Sequence, residues 1–177
     1  MDDEKAPAEQ AREICLRLLA VRPRTYIELA EALTKRGVPD AVIGEVLDRY
    51  REVGMVDDAA FARAWVTSRH RTKRLSRRAL SQELRRKGVD TELVDEALEQ
   101  VDEDSERDAA RALVDKRLRG MAASVPPDAV FRRLVGMLAR KGYPSGVAVS
   151  VVKEALAERA DTAEVAELID ADNTDQW

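Results

Sequence analysis

The chain has 177 residues and a net charge of −4, with 45% hydrophobic, 36% charged and only 4% aromatic residues. Abundant Ala, Leu, Arg and Glu favour helix, and eight glycines and six prolines are few for a β-rich protein with many turns. Cys15 is the only cysteine, which excludes an internal disulfide and a multi-cysteine metal site, and its apolar neighbours predict a buried thiol. We therefore expect an all-α protein.

Targeting signals are not apparent. The acidic start Met1–Glu4 is not followed by an apolar stretch that would serve as a signal peptide. No window approaches the roughly 18 apolar residues that a membrane span needs. We expect a cytoplasmic protein without a membrane partner.

An internal repeat is the main feature of the pattern. Gly37, Gly88 and Gly142 lie 51 and 54 residues apart, and each follows a basic residue and two leucines, eight and four positions earlier. Leucines four residues apart share one helix face, and a glycine after a basic last turn ends a helix. The chain is thus predicted to hold three diverged copies of one helical unit.

Each copy is predicted to contain three helices. A first helix covers about Pro7–Ala20, Asp58–His70 or Ser105–Arg119. The leucine helix follows and is capped by Thr25, Ser76 or Asp128, with Glu28 completing a capping box at Thr25. A third helix begins two or three residues after the glycine.

These elements predict three tandem three-helix repeats that form an elongated, curved array. We place repeat 1 at 7–54, the basic repeat 2 at 55–103, repeat 3 at 104–160 and an acidic tail at 161–177. One such unit buries little surface alone, so contacts between neighbouring repeats are expected to stabilise the array.

Positive charge is concentrated in repeat 2. The segment from Arg69 to Lys87 has nine cations and one acid, Glu83, so it carries +8 and the rest of the chain carries −12. Such an excess favours contact with a polyanion or an acidic protein over a solvated face paired to neighbouring acids. The predicted binding residues are Arg69, Arg71, Lys73, Arg74, Arg77, Arg78, Arg85, Arg86 and Lys87.

A helix, a tight turn and a second helix also occur in operator-reading proteins, whose second helix enters the major groove. Here that second helix carries four acids, Glu92, Asp95, Glu96 and Glu99, and no cation. Phosphates lining a groove would repel it. Contact with a nucleic-acid backbone or a nucleoprotein surface fits better than sequence-specific recognition.

Nothing in the pattern indicates catalysis. His70 is the only histidine, and the sequence contains no HExxH, nucleophile elbow or P-loop. Phe61 and Trp65 lie four apart on the first helix of repeat 2 and, with Ala64, are expected to point inward as core. We expect no enzyme activity, no metal and no cofactor.

The residues resemble the RecX family, bacterial regulators of RecA, over about Ala11–Ala157. The most specific stretches are VDDAAFARAWV at Val56–Val66 and RRALSQELRRKGV at Arg77–Val89, and AREICLRLL at Ala11–Leu19 resembles actinobacterial members. Many members have glycines before the leucine helix, whereas this chain has Thr72–Ser76 without one. Flexibility that depends on those glycines is therefore not carried over.

The resemblance implies three three-helix repeats, no catalysis, and binding along the groove of the RecA–DNA filament. It implies inhibition of RecA ATPase, strand exchange and coprotease activity, and hence an effect on recombination, repair and the SOS response. We expect a monomer whose partners are the RecA nucleoprotein filament and the backbone of single- or double-stranded DNA. A protein that coats DNA and an adaptor for another acidic protein remain the alternatives.

Overall fold

A computed structural model describes the backbone of residues 6–174 and the side chains of residues 6–164. Those residues form nine helices without a strand, which confirms the predicted all-α fold. The helices are α1 (Pro7–Val21), α2 (Tyr26–Thr34), α3 (Asp40–Glu52), α4 (Asp58–Lys73), α5 (Arg77–Arg86), α6 (Thr91–Leu98), α7 (Glu103–Arg119), α8 (Pro127–Arg140) and α9 (Ser145–Thr174).

The predicted acidic tail, residues 161–177, continues α9 as far as Thr174. Its last three residues, like the acidic start Met1–Glu4, lie outside the described residues. Within the described part of the chain, no helix is long and apolar enough to cross a membrane.

The chain divides into two compact units. The first contains the residues up to Arg71 together with Leu80–Gln100, and the second contains Thr72–Ala79 together with the residues from Val101 onward. This grouping follows packing rather than repeat number, so the predicted repeat boundaries stay predictions.

The predicted helix starts are confirmed at two of the leucine helices. Thr25 accepts a hydrogen bond from the Glu28 N–H (3.1 Å), and the Glu28 carboxylate accepts one from the Thr25 N–H (3.2 Å). This is the expected capping box of α2. Ser76 caps α5 in the same way, because its Oγ accepts from the Ala79 N–H at 3.1 Å.

Two local predictions were wrong. Asp128 does not cap α8, because the helix already begins at Pro127, whose fixed φ suits the first helical position, and Asp128 lies within the first turn. The first helix of repeat 2 does not end near His70 but runs to Lys73. Arg71 and Lys73 therefore lie on the last turn of α4.

The repeated leucines form the centre of each core. All six leucines at the two repeated positions have no exposed surface. Burying each of them is worth about 1.5–3 kcal/mol. These leucines are Leu29, Leu33, Leu80, Leu84, Leu134 and Leu138.

The inward face of α4 differs from the prediction at one position. Phe61 is buried and Trp65 is half-buried, as expected, but Ala64 is exposed. The small residues Ala62 and Val66 face the core instead. This orientation leaves the larger indole of Trp65 at the edge of the core, where its N–H meets a polar partner.

Two of the repeated glycines sit against the capped start of another leucine helix. Gly88 has φ +76°, and a Cβ there would lie 2.5 Å from Cβ of Ile27, just after the Thr25 cap. In the second unit Gly142 has φ +88°, and a Cβ there would lie 2.5 Å from Oγ of the Ser76 cap. Both positions need glycine for its conformation and its size, so the copies share one kind of joint.

Candidate binding surface

Two of the nine predicted cations lie around one indole ring. Arg69 lies 5.0 Å and Lys87 lies 4.5 Å from the centroid of the Trp65 ring. The Trp65 Nε1–H donates to Glu83 at 2.9 Å, and Arg69 donates to the same carboxylate through Nε at 2.9 Å and through a second nitrogen. Phe61 stacks on Trp65 with ring centroids 5.6 Å apart.

Glu83, the one acid of the basic segment, is thus bound by its neighbours. Burial opposes ionisation of Glu83, but the hydrogen bonds from Arg69 and Trp65 outweigh it and lower the pKa of the carboxyl. The same hydrogen bond raises the pKa of Arg69, because its guanidinium is paired with Glu83. Arg69 therefore interacts with the protein itself rather than with solvent.

Lys87 is held by the start of α2. Its Nζ lies 2.8 Å from Glu28 Oε1, and its carbonyl oxygen accepts a 2.6 Å hydrogen bond from Thr25 Oγ1. Burial again opposes ionisation of Glu28, but hydrogen bonds from Arg22, Lys87 and the Thr25 N–H lower its pKa to about 2. Lys87 therefore links repeat 2 to repeat 1 within the first unit.

Arg77, at the start of α5, is also engaged. Its guanidinium donates to the carbonyl of Val101, and its N–H donates to Glu106 Oε1 at 2.8 Å. The residue is half-buried. Both contacts lie in the second unit and tie the first turn of α5 to the region of α7.

The connection between α4 and α5 has a fixed conformation in the second unit. Arg74 adopts φ +48°, a left-handed conformation that a non-glycine residue rarely takes, directly after the end of α4 at Lys73. The carbonyl of Arg74 accepts from Tyr143 Oη at 2.8 Å, and that of Lys73 accepts from Lys141 Nζ at 2.9 Å. These bonds hold a segment that lacks glycine.

Five predicted cations remain exposed. Arg71 and Lys73 lie on the last turn of α4, and Arg78, Arg85 and Arg86 lie on α5. Among the described side chains, no ion pair involves any of these five.

Two exposed arginines of α5 lie on one side of the helix. Arg78 and Arg85 are seven residues apart and so project from the same side of the helix, about 10 Å apart along its axis. Arg85 and Arg86 belong to the last turn, where positive charge also complements the helix dipole. Guanidinium groups bind phosphate and carboxylate oxygens bidentately, so this side of α5 offers docking points for anions.

Four acids on α6 and its C-cap lie on the surface. Glu92, Asp95, Glu96 and Glu99 are all exposed and form a solvated acidic face. Arg63 on α4 approaches Glu96 only loosely, at 3.9 Å. Such a face would repel a phosphate-lined groove.

Chemistry of other kinds finds little support among the described side chains. No three His, Cys, Asp or Glu residues in this part of the chain are grouped as they would be around a metal ion. The thiol of Cys15 is buried, and burial raises its pKa to about 11. It is thus a poor nucleophile.

The sequence did not reveal that Thr25 also binds the carbonyl of Lys87. One signal was present, since Thr25 and Ser76 are 51 residues apart, the same spacing as Gly37 and Gly88. That spacing marks the two caps as equivalent positions. It does not show which atoms a second helix brings to them.

These features define a helical-repeat protein whose fifth helix presents exposed arginines. A model of the first three-helix domain of RecX matches residues 11–49, and a model of the second three-helix domain matches residues 57–98. The regulatory protein RecX of Streptomyces coelicolor is 52% identical over 158 residues, which cover 89% of this chain and 84% of that relative.

The regulatory protein RecX of Mycolicibacterium smegmatis is 48% identical over 162 residues, covering 90% of this chain and 86% of the relative. A crystal structure of RecX from Lactobacillus salivarius has a TM-score of 0.72 at 16% identity, covers 84% of this chain and 96% of its own, and shows the same fold. The chain belongs to the RecX family of regulatory proteins.

Proposed function

We propose that this protein binds the RecA–DNA filament and inhibits the ATPase, strand-exchange and coprotease activities of RecA. Membership of the RecX family supports the partner. The observation that supports the surface is the set of three exposed arginines on α5, Arg78, Arg85 and Arg86, which lack ion pairs among the described residues.

The nine cations of the basic segment then have different roles. Arg69 and Lys87 stabilise the first unit through Glu83 and Glu28, and Arg77 is bound to the carbonyl of Val101. The exposed cations, including those of α5, supply the contacts to phosphates or to acidic side chains of the filament.

The test is inhibition of RecA ATPase on single-stranded DNA. A triple variant, Arg78→Ala, Arg85→Ala and Arg86→Ala, should lose inhibition while its helical circular dichroism stays unchanged, because alanine is a strong helix former. A matched control removes three exposed arginines from other helices and changes the net charge equally. The control substitutions are Arg17→Ala, Arg117→Ala and Arg133→Ala. Full inhibition by the folded α5 variant would contradict the assignment.

Two alternatives give different results in the same assay. A protein that coats DNA should bind naked DNA tightly and inhibit in proportion to free DNA sites. Inhibition at amounts well below RecA, with weak binding to naked DNA, contradicts coating. An adaptor for a different acidic protein should leave RecA ATPase unaffected and be recovered with that protein after nuclease treatment.

A further inference from the structure

An apolar groove lies in the first compact unit, between the α1–α2 connection and α4. Two cavities of about 240 Å³ and 300 Å³ share Pro23, Phe61 and Ala64 among their lining residues, so they form one groove. Trp65 extends the lining of the first cavity and Met55, which is 43% exposed, extends that of the second. The groove is therefore an exposed apolar surface with a defined shape.

Arginines border this groove, one beside each cavity. Arg22 lines the first cavity and already pairs with Glu28. Arg24 lines the second, and no ion pair among the described side chains involves it. Asp57 lines the second cavity too, but its carboxylate caps α4 by accepting from the Ala60 N–H at 2.8 Å. The positive charge of Arg24 thus lies next to apolar surface.

We infer that this groove binds a peptide segment of a partner protein in which an apolar side chain adjoins a carboxylate. The apolar side chain fills the cavity over Ala64, and the carboxylate accepts from the guanidinium of Arg24. A carboxylate matches this guanidinium because the two terminal nitrogens present parallel N–H groups to the two carboxylate oxygens. Apolar anchors flanked by polar contacts are the usual form of such recognition.

A nucleobase fits this groove less well than an aliphatic side chain. Base stacking needs a free aromatic face, but Arg69 and Lys87 already lie over the ring of Trp65. Phe61 stacks on the same indole.

The groove is separate from the exposed cations of α5 and goes beyond the proposed function. Its test contains neither RecA nor DNA in the primary assay. Full inhibition by the α5 variant in the ATPase assay would contradict the proposed function but not the groove proposal. Peptide-binding results that overturn the groove proposal would likewise leave the proposed function unaffected.

The experiment selects binders from a random peptide library displayed on phage, using the immobilised full-length protein. Enriched peptides should pair an apolar residue with Asp or Glu. Filling the groove with Ala64→Phe should weaken their binding roughly tenfold or more. Ala41→Phe, at an exposed position on α3, should leave it unchanged. Ala64 is exposed, so the variant should keep its circular dichroism, and Met55→Ser provides a second groove variant that should also weaken binding.

Arg24→Gln tests the carboxylate. It should lower the affinity of the enriched peptides roughly tenfold but leave the affinity of the same peptides with Asn in place of Asp unchanged. Three results would overturn the proposal. These are enrichment that survives both groove variants, enrichment without acidic residues, and binding of an oligothymidylate probe that Ala64→Phe abolishes.

Discussion

Thr25 Oγ1 donates a 2.6 Å hydrogen bond to the carbonyl oxygen of Lys87, 62 residues further along the chain. The same oxygen accepts from the Glu28 N–H to cap α2. One buried hydroxyl therefore satisfies the start of a helix in repeat 1 and the end of the leucine helix in repeat 2. Because of this double role, a substitution of Thr25 tests how much the contact between α2 and the end of α5 stabilises the protein.

Replacing Thr25 with valine keeps its shape but removes both hydrogen bonds. Because the cap and a buried carbonyl lose their partner together, Thr25→Val should lower the free energy of unfolding by about 2–3 kcal/mol. Thr25→Ser, which keeps the hydroxyl, should stay within about 1 kcal/mol of the wild type. Urea unfolding measures both, and a loss in Thr25→Ser as large as the loss in Thr25→Val would contradict the dominant role of the hydroxyl.

Gly88 and Gly37 provide a matched pair of glycines. Both have positive φ, +76° and +77°, so alanine at either costs about 1–2 kcal/mol. Only at Gly88 does the added Cβ meet Ile27, whose own Cβ is fixed by α2, whereas nothing lies within 4 Å at Gly37. Gly88→Ala should therefore cost about 1–3 kcal/mol more than Gly37→Ala in thermal unfolding. Equal melting temperatures of the two variants would contradict the close packing of Gly88 against Ile27.

Glu28 makes stability depend on pH. Its pKa is lowered to about 2 in the folded protein, below the ordinary value of 4.5 for a glutamate. A lowered folded pKa gives stability that is fully present above the unfolded pKa and lost as pH falls toward the folded one. The stability advantage of wild type over Glu28→Gln should thus hold near neutrality and shrink between about pH 5 and pH 2. Denaturant unfolding across this range measures it, with Glu45→Gln, at an exposed site on α3, as the control variant.

Arg69 and the α5 arginines should separate stability from binding. Arg69→Gln removes the bidentate bond to Glu83 and should cost about 1–3 kcal/mol of stability without altering binding to single-stranded DNA or its filament. Removing Arg78, Arg85 and Arg86 together should leave stability nearly unchanged. It should lower the slope of log affinity against log salt by about 2, since each phosphate contact on single-stranded DNA contributes about 0.7. An unchanged slope would exclude phosphate contacts by α5.

Cys15 should react slowly in the folded protein. Burial raises its pKa to about 11, so the thiolate, which is the reactive form, is scarce at pH 8. A chromogenic thiol reagent should label it only as fast as the protein unfolds, and immediately in denaturant. Rapid labelling of the folded protein at pH 8 would show that the α1 core opens.

Particular residues show how much of the structure the local sequence predicts. Thr25 and Ser76 were identified as caps because a hydroxyl before a helix satisfies N–H groups within three residues of it. Asp128 matched the same pattern and failed because Pro127, one residue earlier, already starts α8. Ala64 was expected to be buried, but Ala62 and Val66 are buried instead. Packing in the tertiary structure decides which face of α4 points inward.

The sequence alone determines the helix content, the repeat spacing, the glycines that end helices and the uneven charge. These features depend on composition or on neighbours within about one helical turn. The tertiary structure alone decides which cations of the basic segment are paired and which are exposed. Lys87 and Arg86 are adjacent and equally charged, but Lys87 meets Glu28 from another repeat while Arg86 remains exposed. Side chains that pair across 59 residues depend on how helices pack, and no local pattern specifies that packing.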